Sequence, residues 1–338
     1  MTLCAAWIRD TGDSEELIFC TDSTLTGGEK WNHGVKLFEL PRKDCLICFA
    51  GETYRAYPLI LNLISALKHD RKLNNSMLDI HDVLNRVADN FTELVNSIFD
   101  LPFGNNENIG SEAKFLFGGW SWKDSKFRVW RLDYNVGIGA FIETEEFLGK
   151  IGKVAFIGDP DGDNLGTNIP EIALAKLKEI RTNSDSFDGK LGMEPMEVVV
   201  KMCRDSGVRE VDGALQIGKI YKSGTNEFFG IRWPSVINGK HTFLGKNYDI
   251  FTRPTVKYFD PDSCEILEEE LPTKLPMLED FEKSEGFEFI LDAYSGEENG
   301  LRSNLSEPER NRLISIFKEY SYKKFLDNLT ESQNGEYD

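Results

Sequence analysis

Apolar residues come in short unbroken runs at 3–8 and 17–21, separated by a polar stretch, 9–16, that contains Thr11-Gly12-Asp13-Ser14. That pattern predicts two strands joined by a turn. Residues 35–40 and 45–50 repeat it around Pro41-Arg42-Lys43-Asp44, and Gly51 ends the hairpin. The period then lengthens. Tyr54, Tyr57, Leu61, Ile64 and Leu67 mark one helical stripe, and Ile80, Val83, Leu84, Val87, Phe91, Leu94, Val95 and Ile98 mark a longer one. Strand runs return at 113–117, 127–132, 138–142 and 153–157. Pro170 opens a helix with Ile172, Leu174, Leu177 and Ile180 on one face, a further helix covers 195–204, and runs at 214–221 and 228–233 close the pattern.

Strands grouped and then helices grouped argue for antiparallel sheets covered by helices, not for alternating β-α-β units. Each helix has one apolar face, so two stacked sheets with a helix pair on each outer face would bury every stripe. After residue 234 the texture changes: 235–305 is rich in Pro, Gly and acidic residues, including Glu268-Glu269-Glu270, with little periodicity. Ser306-Glu307-Pro308-Glu309 then forms a capping box for a helix with Leu313, Ile316, Phe317 and Tyr320 on one face. The expected organisation is a domain over 1–234 and an acidic C-terminal extension over 235–338.

A chain of 338 residues with 40% hydrophobic content can bury a sizeable core. The formal charge of -18 argues against a nucleic-acid or anionic-membrane partner, either of which favours a basic face. No signal peptide and no span of about 20 apolar residues is seen, so a cytoplasmic location is expected. The six cysteines sit mostly in apolar runs, and Cys45-Leu46-Ile47-Cys48 lies in a strand-like one, where buried reduced thiols are expected. His33, His69, His81 and His241 are scattered and support neither a zinc site nor a Ser-His triad. Asp159-Pro160-Asp161-Gly162-Asp163 lacks the Gly and Glu of a calcium loop, with Asn164 and Pro170 at those positions. No cofactor or metal is expected.

Candidate chemistry begins at the first residues. Thr2 follows Met1, and a small second residue permits the methionine to be trimmed. The exposed threonine would carry its own nucleophile and base, because a terminal amine titrates near ~8 and can accept the hydroxyl proton. Thr2 opens the first strand, Asp22-Ser23-Thr24-Leu25-Thr26 follows the second, Lys36 opens the third, and Ala50-Gly51 ends the fourth before a helix. Asp22 and Lys36 are 14 positions apart, and Lys36 and Gly51 are 15 apart. This set resembles the Ntn-hydrolase superfamily, specifically the proteasome β-subunits and the bacterial proteasome-like peptidase. The resemblance covers about the first two-thirds of the chain and implies a four-layer αββα sandwich of the α+β class.

By that resemblance, Thr2 would be the nucleophile, Lys36 would lower the pKa values around it, Asp22 would hold Lys36 charged, and the Gly51 amide would be an oxyanion donor. Thr26 would pair with an extended peptide, and Leu25, Gly34, Phe38, Phe49 and Thr53 would form the pocket beside the threonine. The resemblance also implies a homo-oligomeric ring acting on peptide or protein substrates, fed by an unfolding ATPase. The chain departs from the family in two places. Asp159 stands where the family has the serine of Gly-Ser-Gly, and a carboxylate there would raise the amine's pKa. Asp205 stands at the family's aspartate, but Ser-Gly-Gly is replaced around Val211-Asp212-Gly213. Three functions stay open: a threonine peptidase, a weak or inactive proteasome-like scaffold, and an amidase acting on a small amide without a ring.

Overall fold

The computed structural model describes residues 2–26, 29–75, 77–99, 113–147, 153–158, 168–183, 189–208, 211–248, 252–267, 271, 275–296 and 300–334. Strands β1 (Leu3–Asp10) and β2 (Glu15–Thr21) form an antiparallel pair with Cys4 opposite Thr21. A two-stranded ribbon, β3 (Leu25–Thr26) and β4 (Lys30–Trp31), leads into β5 (Leu37–Leu40) and β6 (Arg42–Gly51). Helices α1 (Thr53–His69) and α2 (Ile80–Asn96) follow, then β7 (Ala113–Ser121), β8 (Lys126–Asn135), β9 (Ala140–Glu145) and β10 (Val154–Gly158). After α3 (Ile169–Asn183) and α4 (Glu194–Arg204) come β11 (Gln216–Tyr221), β12 (Asn226–Trp233), β13 (Lys240–Phe243), β14 (Lys246–Tyr248) and β15 (Tyr258–Phe259). Helices α5 (Phe287–Ala293) and α6 (Glu307–Asn334) end the described chain.

The strands assemble as β10-β1-β2-β11-β12-β13-β14, with β15 beside β12, and as β5-β6-β7-β8-β9. The alternation of side chains along each strand sorts the core. In β1, Leu3, Ala5 and Trp7 pack with Ala173 and Leu177 of α3 and Met196, Val199 and Met202 of α4. Cys4, Ala6 and Ile8 point the other way, meeting Leu37, Leu46, Cys48, Leu116 and Val129 of the five-stranded sheet. The opposite face of that sheet, with Cys45, Ile47 and Phe49, packs on Ile60 and Leu63 of α1 and Val83, Val87 and Phe91 of α2. Cys45 and Cys48 therefore face opposite sides of β6 and cannot act as a pair. The buried Arg42 guanidinium donates to Asp44 and to the carbonyls of Leu73, Asn75 and Leu78, pinning the α1–α2 connector to β6.

The four-layer αββα sandwich expected from the sequence is corrected here. The described chain is a mixed structure of large antiparallel sheets and six α-helices. The larger sheet does not stop at β12: β13 and β14 extend it, and β15 adds a parallel pairing, Gly230 opposite Tyr258. Those three strands have two to four residues each, too short for a period of two to stand out in a stretch otherwise lacking pattern.

Two compact units are present, one of Met1–Tyr248 with Pro254–Ile266, the other of Asp249–Arg253 with Leu267–Asp338. The second has its own core of Phe281, Ile290, Ala293, Leu313 and Phe317 around α5 and α6. Ser306 caps α6 with its backbone amide donating to the Glu309 carboxylate at 2.8 Å. Among the described residues no helix is long and apolar enough to cross a membrane.

Candidate functional site

The alternation that sends Cys4 and Ala6 toward the five-stranded sheet sends Thr2 the same way, because Thr2 is one step earlier on the same face. β2 runs antiparallel to β1 and ends at Thr21, which places Asp22 beside the start of β1. The Asp22 carboxylate there accepts from the backbone amides of Leu3 and Thr24, each at 3.1 Å. Lys36 stands just before β5. Its Nζ donates to Thr2 Oγ1 at 2.8 Å and to Asp22 Oδ2 at 2.9 Å. Asp22 and Lys36 are fully buried and Thr2 is 4% exposed, so three residues distant in sequence meet out of water.

A buried carboxylate and ammonium persist only when paired and hydrogen-bonded. Both conditions are met. Burial pushes the Asp22 carboxyl above its ordinary value, while the Lys36 charge and the two amides oppose that rise. Cys20 and Cys203 lie close enough to feel the Asp22 charge, and burial raises their thiols well above the usual range, so they stay neutral. Further along the same face, Cys4 Sγ donates to Phe49 O at 3.0 Å, tying β1 to β6.

The other expected site residues are distributed unevenly. Gly51 ends β6 at φ +105°, a conformation that L side chains rarely adopt. Leu25 and Thr26 make up β3, opposite Trp31 and Lys30. Phe49 is completely buried and packs with Phe38 and Tyr57, at ring separations of 6.3 and 5.5 Å, as part of the core under α1. Phe38 is partly buried there, and Thr53 begins α1. Asp205 sits at the C-terminal end of α4, where its carboxylate accepts from the Gly207 amide at 2.9 Å and faces Lys176 at 3.6 Å. No hydrogen bond among the described residues joins Asp205 to Thr2, Asp22 or Lys36. Asp159, the carboxylates Asp161 and Asp163, and Met1 lie outside the described residues.

Four supporting residues had no sequence reading of this kind. Gln216 is fully buried and bonds the backbone at Lys36. Its signal was an amide at an inward position of an apolar strand, since Gly218 and Ile220 share its face. Asp212 receives the amides of Ser23 and Thr24 on its carbonyl, at 3.3 and 3.1 Å. Gly213, at φ +85°, lies so near that a Cβ would stand 2.4 Å from Ser23 Oγ. The altered Val211-Asp212-Gly213 segment thus buttresses the Asp22 turn. Gly158 pairs with Leu3, and a Cβ there would fall 2.9 Å from Thr2 O and 3.0 Å from Pro170 Cδ. Gly158→Ala is expected to cost about 1–3 kcal/mol through this overpacking, read as a lower urea midpoint at unchanged slope.

Among the described residues no group of three or more His, Cys, Asp or Glu is placed to hold a metal ion. The chemistry available is that of a hydroxyl that accepts from a buried lysine paired with a carboxylate.

No protein-family model matches the chain, and no curated protein matches it. Among solved structures it is similar to Anbu (ancestral beta-subunit) from Yersinia bercovieri, at 14% identity and a TM-score of 0.44, over 67% of this chain and 86% of that one. It is also similar to an Anbu (Gly-1) mutant from Hyphomicrobium sp. strain MC1, at 14% identity and a TM-score of 0.42, over 65% and 82%. The sequence resemblance to the Ntn-hydrolase superfamily's proteasome β-subunit and bacterial proteasome-like peptidase branch is corrected: the similar structures are Anbu proteins. Four matching positions specify a side-chain cluster and too little of the surrounding chain to specify a branch.

Proposed function

We propose that this chain is an N-terminal-threonine amidohydrolase that cleaves peptide bonds. The observation that carries the reading is the double donation of Lys36 Nζ, to Thr2 Oγ1 at 2.8 Å and to Asp22 Oδ2 at 2.9 Å. The buried ammonium needs acceptors for its protons, and among the described residues the one it has besides Asp22 is the hydroxyl at the start of the first strand.

Removal of Met1 frees the Thr2 amine. That amine takes the Oγ1 proton as the oxygen attacks the carbonyl carbon of an amide. Lys36 donates to the same oxygen, which lowers the cost of its developing charge and leaves its own proton directed at the amine. The tetrahedral oxyanion is met by a backbone amide, for which Gly51 is the candidate. The C–N bond then breaks, the leaving amine takes the proton from the Thr2 ammonium, and an ester on Thr2 remains. Water, deprotonated by the same amine, hydrolyses the ester and restores the hydroxyl. An extended substrate would add alongside Leu25–Thr26, its main chain held by strand addition.

Intact-protein mass of the purified chain, followed by treatment with a peptidyl epoxyketone, tests the reading. This probe requires the hydroxyl and the free amine of one threonine. Loss of Met1 and a single adduct on the N-terminal peptide are expected. A retained Met1 would block the amine and sink the proposal.

A further inference from the structure

Lys36 occupies a position that its own sheet does not secure. β5 is the edge strand of the five-stranded sheet and begins only at Leu37. The Lys36 carbonyl accepts from Phe49 on β6 at 3.2 Å, but the Lys36 amide points away from that ladder. A side chain from the other sheet receives it. Gln216 Oε1 accepts from Lys36 N at 2.9 Å and from Leu37 N at 3.1 Å, while Gln216 Nε2 donates to Gly34 O at 2.5 Å. One carboxamide thus holds three backbone groups around the residue whose Nζ reaches Thr2 and Asp22.

Gln216 is itself held. It is fully buried on β11, whose pairing with β2 sets it opposite Thr21, next to Asp22. Gly245, at φ +84° in the turn between β13 and β14, lies over it. A Cβ on Gly245 would come within 3.3 Å of Gln216 Nε2 and 2.4 Å of Ser23 Cβ. The same turn supplies the Gly245 carbonyl to His33 Nδ1 at 2.8 Å. The amide side chain and the turn together take the place of the strand that β5 lacks at its edge.

We propose that Gln216 is a positioning residue of the threonine site, fixing the backbone of Lys36 so that Nζ meets Thr2 Oγ1 and Asp22 together. The inference rests on the amidohydrolase reading and adds a residue to it. Gln216 touches neither the nucleophile nor a substrate; it acts through Lys36. A lysine side chain has four rotatable bonds, so a loosened backbone would let the ammonium keep Asp22 and lose Thr2. A misplacement of about 1 Å at a reacting group costs on the order of 10²-fold in rate.

The test compares wild type, Gln216→Met and Gln216→Glu for the rate of epoxyketone adduct formation on Thr2 across a pH series, with thermal unfolding of each variant. Gln216→Met keeps the length and removes all three hydrogen bonds. It is expected to slow labelling about 10²-fold in protein that remains folded. Its acid limb should move to higher pH, because a Lys36 charge held less closely opposes the burial of Asp22 less. Gln216→Glu keeps an acceptor for Lys36 N and Leu37 N and is expected to recover part of the loss. It also carries the test if Gln216→Met does not fold. Labelling at the wild-type rate and acid limb in folded Gln216→Met, or in Gln216→Glu where that variant alone folds, overturns the inference. So does a loss that follows only the unfolded fraction. A wild-type chain that has lost Met1 yet forms no adduct overturns the amidohydrolase reading, and this inference with it.

Discussion

Thr2→Ala is expected to leave the chain folded and free of Met1, yet unable to form the epoxyketone adduct or to turn over a peptide. Alanine is as small as threonine at the second position, so the methionine is still removed and the terminal amine is still generated. Only the hydroxyl and a methyl group are lost. Losing the nucleophile from a set of groups that act as a unit costs on the order of 10⁴-fold or more in rate. The structural cost should be about 1–3 kcal/mol, because the fully buried Lys36 ammonium loses one acceptor and keeps Asp22. Thr2→Ser restores hydroxyl and amine together and should recover labelling. Adduct formation on Thr2→Ala at the wild-type rate would assign the chemistry to another residue.

Lys36→Met is expected to fail in both activity and stability. The methionine fills most of the lysine's volume but leaves the Asp22 carboxylate fully buried with the Leu3 and Thr24 amides as its remaining donors among the described residues. Breaking a buried pair by removing one partner costs about 3–5 kcal/mol, a large share of the 5–15 kcal/mol by which a domain is stable. Urea unfolding should show this as a lower midpoint. The double replacement Lys36→Met with Asp22→Leu removes both charges, so it should regain much of the stability and none of the labelling. That split separates the pair's structural role from its chemical one. If Lys36→Met labels Thr2 as fast as wild type, the lysine has no part in activating the hydroxyl.

Much of the larger unit was legible from hydrophobic pattern alone. The long stripe at residues 80–98 is α2, which buries one face, and the unbroken apolar run at residues 3–8 is β1, which buries both. The strand following Pro41 was harder. β6 begins at Arg42, immediately after Pro41, where the sequence suggested a turn, since an arginine buried with carboxylate and carbonyl partners looks polar to a reading based on hydropathy. β13, β14 and β15 were missed for want of length. Phe49 was expected beside the threonine, and its place on β6 packs it in the core under α1, on the face opposite Cys48.

For the site, the sequence alone determined which groups were available: a hydroxyl at position 2, a carboxylate just past the second strand, and a lysine just before the third. Their elements follow from local pattern, since turn residues and period-two runs are short-range properties. Only the tertiary structure decided that Thr2, Asp22 and Lys36 meet, that Asp205 lies with Lys176 instead, and that Gln216 and Gly245 stand behind the lysine. The reason is physical. Such contacts depend on which strands neighbour one another and in what register, and a one-residue slip would turn each side chain to the other face. That register is set by the whole core, not by the few residues that carry the chemistry.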